Sequence, residues 1–242
     1  MVRPRRDCDA YAWMLELSAE GWAWEFLRRN PSYRRHYLAC REVDDIVASR
    51  AAHRWGLLQF ADPDVDARSA EIFWSPAKNR SVLPLVTGEA GRNSLADVIC
   101  QVSVLQLAGS VQRHVLYSCN GRFLQLSITG PGDLDRVRYI MDALPERSAD
   151  KKLVALRRLA DLSQYKRLRP ELYGRQKRGP RLSRIAEILD FHAKNPAHRA
   201  IACAVFGKER ADEEWDNLRD HIRRALAAGR KLTQGGYLEF LS

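Results

Sequence analysis

The chain has 242 residues, of which 45% are hydrophobic and 29% are charged, which is the balance of a folded globular protein and not of a disordered one. Its longest apolar runs are far below the roughly 18 residues that cross a bilayer, and acidic residues interrupt the basic N-terminus where a signal peptide would become apolar. A cytoplasmic protein without a membrane partner is therefore expected. Five scattered cysteines without a C-x-x-C pair predict reduced thiols, and neither a disulfide framework nor a zinc site.

The net charge of +10 is concentrated in the C-terminal part of the chain. Residues 1–145 carry 18 Lys and Arg against 17 Asp and Glu, whereas residues 146–242 carry 22 against 13. Residues 147–184 alone hold 13 basic side chains and three acidic ones. This asymmetry favours a polyanionic partner, with nucleic acid as the first candidate and an ordinary solvated basic face as the alternative.

The N-terminal region is predicted to be a mixed α/β domain. Apolar residues recur at helical spacing within residues 9–29, and a second helix is expected over residues 33–49. The aromatic cluster at residues 22–26 indicates a local core and not a surface for base stacking. A short strand is expected over residues 54–60, and strand-forming residues dominate positions 72–129.

The clearest β element in the sequence is a hairpin. Two β-rich runs, residues 114–119 and 122–129, flank the dipeptide Asn120-Gly121. Both positions of such a two-residue turn need positive φ, which Asn and Gly accept most easily. A helix is then expected over residues 133–143, with Asp133 as its N-cap.

Residues 146–180 are predicted to form a basic helix followed by a linker. The apolar stripe of the helix is expected at Leu153, Leu156, Leu159 and Leu162, and its basic residues are expected to face solvent. These basic residues are Lys151, Lys152, Arg157 and Arg158. Residues 165–180 have little apolar content and contain both Pro and Gly, which is typical of a linker. The predicted domains are thus residues 1–145, with a role in oligomerisation, and residues 181–242.

Residues 181–242 are predicted to contain three helices and a wing. The first helix covers residues 182–194, the second covers residues 197–206 before Gly207, and the third runs from about Asp212 to Gly229. With a short turn between the second and third helices, this pattern predicts a helix-turn-helix whose last helix enters the major groove. The glycine pair at 235–236 predicts a wing-like β-hairpin. The fold class is α+β, and an ordinary three-helix bundle is the alternative for this segment.

The expected DNA contacts are polar residues on the outer face of the third helix and basic residues around it. Arg can contact guanine and Asn can contact adenine, and either side chain can instead hold a phosphate. The predicted contact residues are Asn217, Arg219, Arg223 and Arg224 on the helix, Arg230 and Lys231 at the base of the wing, Arg199 in the second helix, and Arg175, Lys177, Arg178 and Arg181 in the basic segment.

These residues resemble a known family. Ile201-Ala, Val205-Phe-Gly, Trp215, Leu218-Arg-Asp-His-Ile-Arg-Arg224, Gly229-Arg and Gly235-Gly-Tyr are similar to the DNA-binding domain of RovC-type transcription regulators of proteobacteria. Trp22-Ala-Trp-Glu-Phe-Leu-Arg-Arg-Asn-Pro31, Tyr33-Arg, Tyr37, Arg54-Trp-Gly-Leu and Ala61-Asp-Pro resemble the N-terminal domain of that family.

The resemblance implies a transcriptional activator of type VI secretion or mobile-element genes. Its implied partners are double-stranded promoter DNA and further copies of itself, since at least one member of the family assembles as a hexamer. RNA polymerase or another regulator is a further candidate partner. Related isolated C-terminal domains act as antiactivators that sequester other regulators, and this function is the alternative.

An enzyme is not expected. His221-x-x-Arg224 followed by Tyr237 superficially resembles the catalytic end of a tyrosine recombinase, but no matching upstream catalytic Arg motif is evident. The sequence contains no phosphate-binding loop, H-E-x-x-H zinc motif or G-x-S-x-G elbow, and its histidines are isolated. No catalytic residue, metal or cofactor is therefore predicted.

Overall fold

The N-terminal region is built from short helices. The structure, a computed structural model, describes residues 10–87, 95, 97–130, 137–139 and 149–242. A 3-10 helix at Ala12–Glu16 precedes α1 (Ala19–Leu27), α2 (Pro31–Ala39) and α3 (Asp45–Ala52).

Each of the two long helices expected in this region is divided in two. Leu17 and Ser18 are extended, so the helix over residues 9–29 is interrupted before α1. The Asp44 side chain accepts the backbone N–H of Ile46 at 2.8 Å and so begins α3 inside the helix expected over residues 33–49.

A mixed five-stranded sheet follows. Its strands are β1 (Leu83–Thr87), β2 (Gln101–Gln106), β3 (Gln112–Cys119), β4 (Arg122–Thr129) and β5 (Val137–Tyr139), in the order β2-β3-β4-β1-β5. The pair β1–β4 is parallel, and the other neighbours are antiparallel.

The hairpin predicted at the Asn-Gly dipeptide is confirmed. Cys119 lies opposite Arg122, so β3 and β4 are joined by a two-residue turn. Asn120 has a φ of 48° and Gly121 a φ of 75°, which is the positive pair that this turn requires.

One strand prediction and one helix prediction were wrong. Residues 54–60 contain no strand, because a 3-10 helix at His53–Trp55 runs into a left-handed turn at Gly56 and leaves a single bridge between Leu57 and Trp74. Within the helix expected over residues 133–143, Val137–Tyr139 instead form β5 against β1. The rest of that predicted helix lies outside the described residues. Pairing with an existing strand outweighs the local helix signal here.

The basic helix forms as α4 (Ala149–Tyr165), but its buried face differs from the predicted leucine stripe. Lys152 is only 8% exposed and donates a hydrogen bond to the carbonyl of Val82, whereas Leu153 is 57% exposed. The face that packs beside the sheet carries Lys152, Ala155, Leu159 and Leu162. The helix is therefore rotated from the expected orientation because the long Lys152 stem can reach a backbone acceptor.

The segment expected to be a linker packs against α4. Leu168 and Tyr173 are buried in the same cluster as Leu159 and Leu162. Arg158 lies over the Tyr173 ring, with its guanidinium carbon 4.0 Å from the ring centroid. Part of the basic charge in this segment is thus occupied by internal contacts.

Four helices complete the chain. They are α5 (Gly179–Lys194), α6 (His198–Phe206), α7 (Lys208–Glu213) and α8 (Trp215–Thr233). Gly207 has a φ of 90° and ends α6, as predicted. The short turn expected after it is instead α7, which buries Ala211 and carries an ion pair of 3.0 Å between Arg210 and Glu214.

The end of α8 also departs from the prediction. The helix continues past Gly229, which packs so tightly on α5 that an added Cβ would lie 2.9 Å from side-chain carbons of Leu189. Residues Gly236–Phe240 form a 3-10 helix and not the wing-like hairpin. Tertiary contacts hold it there, because Tyr237 is buried and Phe240 stacks on Phe26 with ring centroids 6.1 Å apart.

The hydrophobic core joins both ends of the chain. One cluster contains buried residues between Met14 and Trp74 together with buried residues of α5, α6 and α8 and of the 3-10 helix that follows. Polar contacts reinforce it, because Arg29 donates two hydrogen bonds to Asp190 at 2.8 and 2.9 Å. A second cluster lies between the sheet and α4. Helices and a mixed sheet thus confirm the α+β class. None of the described helices has the length and apolar character needed to span a membrane.

Candidate nucleic-acid interface

Helix α8 combines a buried face with a long exposed polar face. Leu218, Ile222 and Leu226 are buried against α5 and α6. At about 100° per residue, the opposite side of the helix carries the predicted contact residues, which the structure places in solvent. The exposed ones are Asn217, Arg219, Arg223, Arg224, Arg230 and Lys231.

The exposed residues of α8 follow two flanks. Helical spacing aligns Arg219, Arg223 and Arg230 on one flank, and Asn217, Arg224 and Lys231 on the other. Asp220 lies between the flanks. Asp216 also lies between them, so a row of donors stands on each side of two central carboxylates.

Two arginines of the first flank, Arg219 and Arg223, make long ion pairs on the surface. Arg219 lies 3.7 Å from Asp216, and Arg223 lies 3.5 Å from Asp220. The two arginine side chains are 54% and 72% exposed, so these pairs contribute little stability and can be exchanged for contacts to another anion.

The second flank merges with the N-terminal end of α5. Burial lowers the pKa of the His221 ring, and charge repulsion by Arg224 of α8 and by Arg184 and Arg181 of α5 lowers this pKa further. Arg178 and Lys231 line one cavity together with Arg181. We call Arg178, Arg181, Arg224 and Lys231 the α5–α8 basic surface.

A cavity of about 400 Å³ opens within this surface. It lies between α1, α4, α5, α8 and the 3-10 helix at Gly236–Phe240. Lys151 of α4 reaches it from the side, and burial lowers the pKa of this ammonium group. The cavity was not predicted from the sequence, because Lys151 meets α5 and α8 only through the tertiary fold.

Three predicted contact residues belong neither to the exposed face of α8 nor to the α5–α8 basic surface. Arg175 is paired with Glu16 at 2.7 Å, beside the first 3-10 helix. Arg199 is paired with Asp212, and its guanidinium carbon lies 4.8 Å from the Trp215 ring centroid. Lys177 is exposed in the loop before α5. The structure therefore brings together a subset of the residues that the sequence suggested.

Of the residues that resembled a recombinase site, Tyr237 is buried. The Tyr237 hydroxyl donates a hydrogen bond of 3.0 Å to the carbonyl of Trp55, and burial raises its pKa to about 12. A buried, engaged hydroxyl of this kind is a poor nucleophile. Within the part of the chain that the structure describes, no cluster of His, Cys, Asp or Glu has the geometry of a metal site.

Two family models match the chain. A proteobacterial transcriptional regulator-like domain matches residues 4–60, and a type VI secretion (T6SS) transcription factor DNA-binding domain, of RovC type, matches residues 141–242. A comparison with curated proteins gave no significant match. The second model includes α4 through α8 and the 3-10 helix at Gly236–Phe240, and thus the whole α5–α8 basic surface. The chain is a DNA-binding transcriptional regulator in which the match to a transcriptional regulator-like domain precedes the match to a RovC-type DNA-binding domain.

Proposed function

We propose that the protein is a sequence-specific transcriptional activator that inserts α8 into the major groove of promoter DNA. The observation that carries this proposal is the exposed face of α8, which holds Asn217 and the basic residues of both flanks while the other face is fully packed. The helix is about 28 Å long at 1.5 Å per residue, enough to follow the groove with its first turns and meet the backbone with its last ones.

The position of each side chain suggests its role. Asn217 and Arg219 lie in the first turns of α8, which in this class of domain point toward base edges. Arg230 and the α5–α8 basic surface lie where the helix would leave the groove, and they suit phosphate contacts. Arg199, Arg175 and Lys177 belong to neither set, so we assign them auxiliary phosphate contacts that form only when the DNA bends toward them.

Asp220 adds a specificity element to this face. A carboxylate between two rows of cations repels phosphate, so it disfavours a loosely seated duplex. In the groove the same carboxylate can accept a hydrogen bond from the amino group of cytosine. The exposed face is therefore better suited to selective than to indiscriminate DNA binding.

The DNA-binding proposal is tested by fluorescence-polarisation titrations of the full chain. DNA fragments selected from a random library by the protein are compared with scrambled fragments over a series of salt concentrations. Neutralisation of about 5 to 8 phosphates predicts a slope of log K against log salt of roughly −4 to −7. A flat salt response, or equal affinity for selected and scrambled fragments, would contradict the proposal.

The activating role and the target genes rest on the family resemblance. We place the targets among type VI secretion or mobile-element promoters, where the protein would act on RNA polymerase or on another regulator. A reporter driven by a selected fragment should respond to the wild-type protein and not to an Arg219→Ala variant. If the protein binds no DNA but captures another regulator, the antiactivator function replaces this proposal.

We further propose that the protein acts as a homo-oligomer, with a hexamer as the form that the family suggests. One α8 contacts only a few base pairs, so repeated half-sites need two or more copies of the helix. We place assembly in the N-terminal part, where Leu38, Ile46 and Val47 are more than half exposed. Multi-angle light scattering that detects only the 27.7 kDa chain at micromolar concentration would contradict this.

A further inference from the structure

The cavity within the α5–α8 basic surface has an unusually polarised lining. Four cationic side chains reach it from three helices and the turn before α5: Lys151, Arg178, Arg181 and Lys231. The carboxylate of Glu239 also lines it. Positive charge therefore dominates the cavity, and an anion would be attracted to it.

Three of the four cationic groups are available for a ligand, and the fourth, Lys151, is engaged by the chain itself. Among the described residues, the side chains of Arg178, Arg181 and Lys231 have no ion-pair partner, and Lys151 donates a hydrogen bond to the main-chain oxygen of Ser242. Arg178 is also the N-cap of α5, which has no side-chain cap and no acidic residue in its first turn. The partial positive charge of this helix end favours the same kind of ligand.

The floor of the cavity is apolar. Leu182 and Ile185 of α5, Ala228 and Leu232 of α8, and Phe240 line it behind the charged rim. A DNA phosphate would meet the rim but would leave this floor unfilled. At about 400 Å³ the cavity has the size and the mixture of apolar wall and few polar groups that are typical of small-molecule sites.

We propose that this cavity is an effector site for a small amphiphilic anion, a molecule with one carboxylate or phosphate group on an apolar body. The anionic group contacts Arg178, Arg181 and Lys231, and the apolar body packs on Leu182 and Phe240. A bound ligand neutralises cations that the proposed DNA complex uses for phosphate contacts. Ligand and DNA then exclude each other, which makes the site a route to release from the promoter.

The site is tested first without DNA, by isothermal titration calorimetry of the full chain with 1-naphthyl phosphate. We expect saturable binding of one molecule per chain. Inorganic phosphate should bind at least tenfold more weakly because it lacks the apolar body, and 1-naphthol should do so because it lacks the phosphate. Arg181→Gln should weaken the binding of 1-naphthyl phosphate about tenfold, because a charged hydrogen bond is lost. Arg50→Gln, an exposed arginine on α3, is the matched control and should leave the affinity unchanged.

A second variant tests the apolar floor. Ala228→Leu adds bulk inside the cavity and leaves every charge in place, so it should block the binding of 1-naphthyl phosphate. The circular dichroism spectrum of this variant should remain that of the wild type. If Ala228→Leu does not fold, Lys231→Gln repeats the charge test at an exposed position. Absence of saturable binding, equal binding of inorganic phosphate, or equal loss in Arg50→Gln would each overturn the proposal.

The coupling to DNA rests on the proposed function and is measured separately. With 1-naphthyl phosphate at ten times its dissociation constant, mutual exclusion predicts about a tenfold weaker apparent affinity for a scrambled duplex. At this concentration the same ligand should weaken the DNA affinity of the Arg181→Gln variant only about twofold, because the variant binds the ligand about tenfold more weakly. Ligand binding without any effect on DNA affinity would overturn the coupling and leave the site, whereas absence of DNA binding by the ligand-free protein would overturn the proposed function alone.

Discussion

Arg219 and Arg223 are one turn apart on the same flank of α8, yet we expect their removal to have different effects. Arg219→Ala or Asn217→Ala should cost about 1 to 3 kcal/mol on a selected site and reduce discrimination against mismatched sites, because both residues lie toward the groove end of the helix. A second group of variants should weaken the affinity for selected and scrambled DNA alike, and each should reduce the slope of log K against log salt by about one unit. These variants are Arg223→Ala, Arg230→Ala and Lys231→Ala.

The ratio of the two affinities separates these roles. Circular dichroism of each variant verifies the fold, since all five positions are exposed and none supports the core. Equal losses on selected and scrambled DNA for Asn217 and Arg219 would show that base contacts are made by another surface.

A second effect at single-residue scale concerns His114, which is buried in β3 opposite Ser127 with no partner at Nδ1. Burial lowers the pKa of this imidazole to about 4. An unfolded histidine titrates near 6.5, so the unfolded chain gains a proton first as the pH falls. This contribution to stability is complete above pH 6.5 and is lost toward pH 4, by about 2 kcal/mol between pH 7 and 5.

The contribution of His114 is measured by comparison with a side chain that does not titrate. Urea unfolding of the wild type and of His114→Gln at pH 7 and pH 5 gives the change in unfolding free energy of each. The variant should lose about 2 kcal/mol less than the wild type over this interval. Identical pH dependence in the two proteins would mean that another group, such as His221, is responsible.

Gly229 illustrates how packing between two helices reverses a local preference. In an exposed helix, replacing Gly by Ala adds roughly 1 kcal/mol of stability. Here the new methyl group would lie 2.9 Å from three carbons of Leu189, so α5 and α8 must separate or Leu189 must change rotamer. We expect Gly229→Ala to lower the unfolding free energy by about 1 to 3 kcal/mol.

The matched control lies two positions earlier on the same helix. Ala227 is exposed, so Ala227→Gly should cost about 1 kcal/mol through helix propensity alone. Thermal unfolding of both variants tests the close contact. A Gly229→Ala protein more stable than the wild type would contradict it.

Elements with a strong local signal were predictable from the sequence, and elements decided by distant contacts were not. The hairpin at Asn120-Gly121 and the end of α6 at Gly207 follow from backbone preferences of single residues, so the sequence was sufficient. The 3-10 helix at Gly236–Phe240 forms because Tyr237 and Phe240 find partners in the N-terminal region, and no neighbouring residue signals that contact.

The candidate site shows the same division. The exposed face of α8 was predictable, because the periodicity of Leu218, Ile222 and Leu226 defines which residues face outward. The cavity was not, since its cationic rim combines α4, α5 and α8 across a tertiary arrangement. The basic character of residues 147–184 was evident from composition. Which of these cations are paired within the protein and which are available to a ligand is visible only in the tertiary contacts.

At the scale of the whole molecule, the core that joins both ends makes the C-terminal helices dependent on the N-terminal ones. A fragment of residues 181–242, the domain proposed from the sequence, lacks α1. In this fragment Leu182, Ile185 and Phe240 lose part of their packing. We expect this fragment alone to unfold at a lower temperature and urea concentration than the full chain, with an exposed apolar surface that binds a hydrophobic dye.

Adding back the N-terminal part tests whether packing is the cause. Mixing the fragment with a fragment of residues 1–180 should restore cooperative unfolding if the shared core drives association. Unchanged stability of the isolated fragment would show that the two ends fold independently.

The joining of the chain ends also determines when the protein can become native during synthesis. The Asn30 side chain donates to the carbonyl of Thr233, and these two residues are 203 positions apart. A ribosome that adds about 5 to 20 residues per second needs roughly 10 to 40 s to cover that distance. During this interval Trp22 and Phe26 lack the aromatic ring of Phe240 and the rest of their final packing. We therefore expect the nascent chain to keep part of its aromatic segment unpacked until translation is nearly complete.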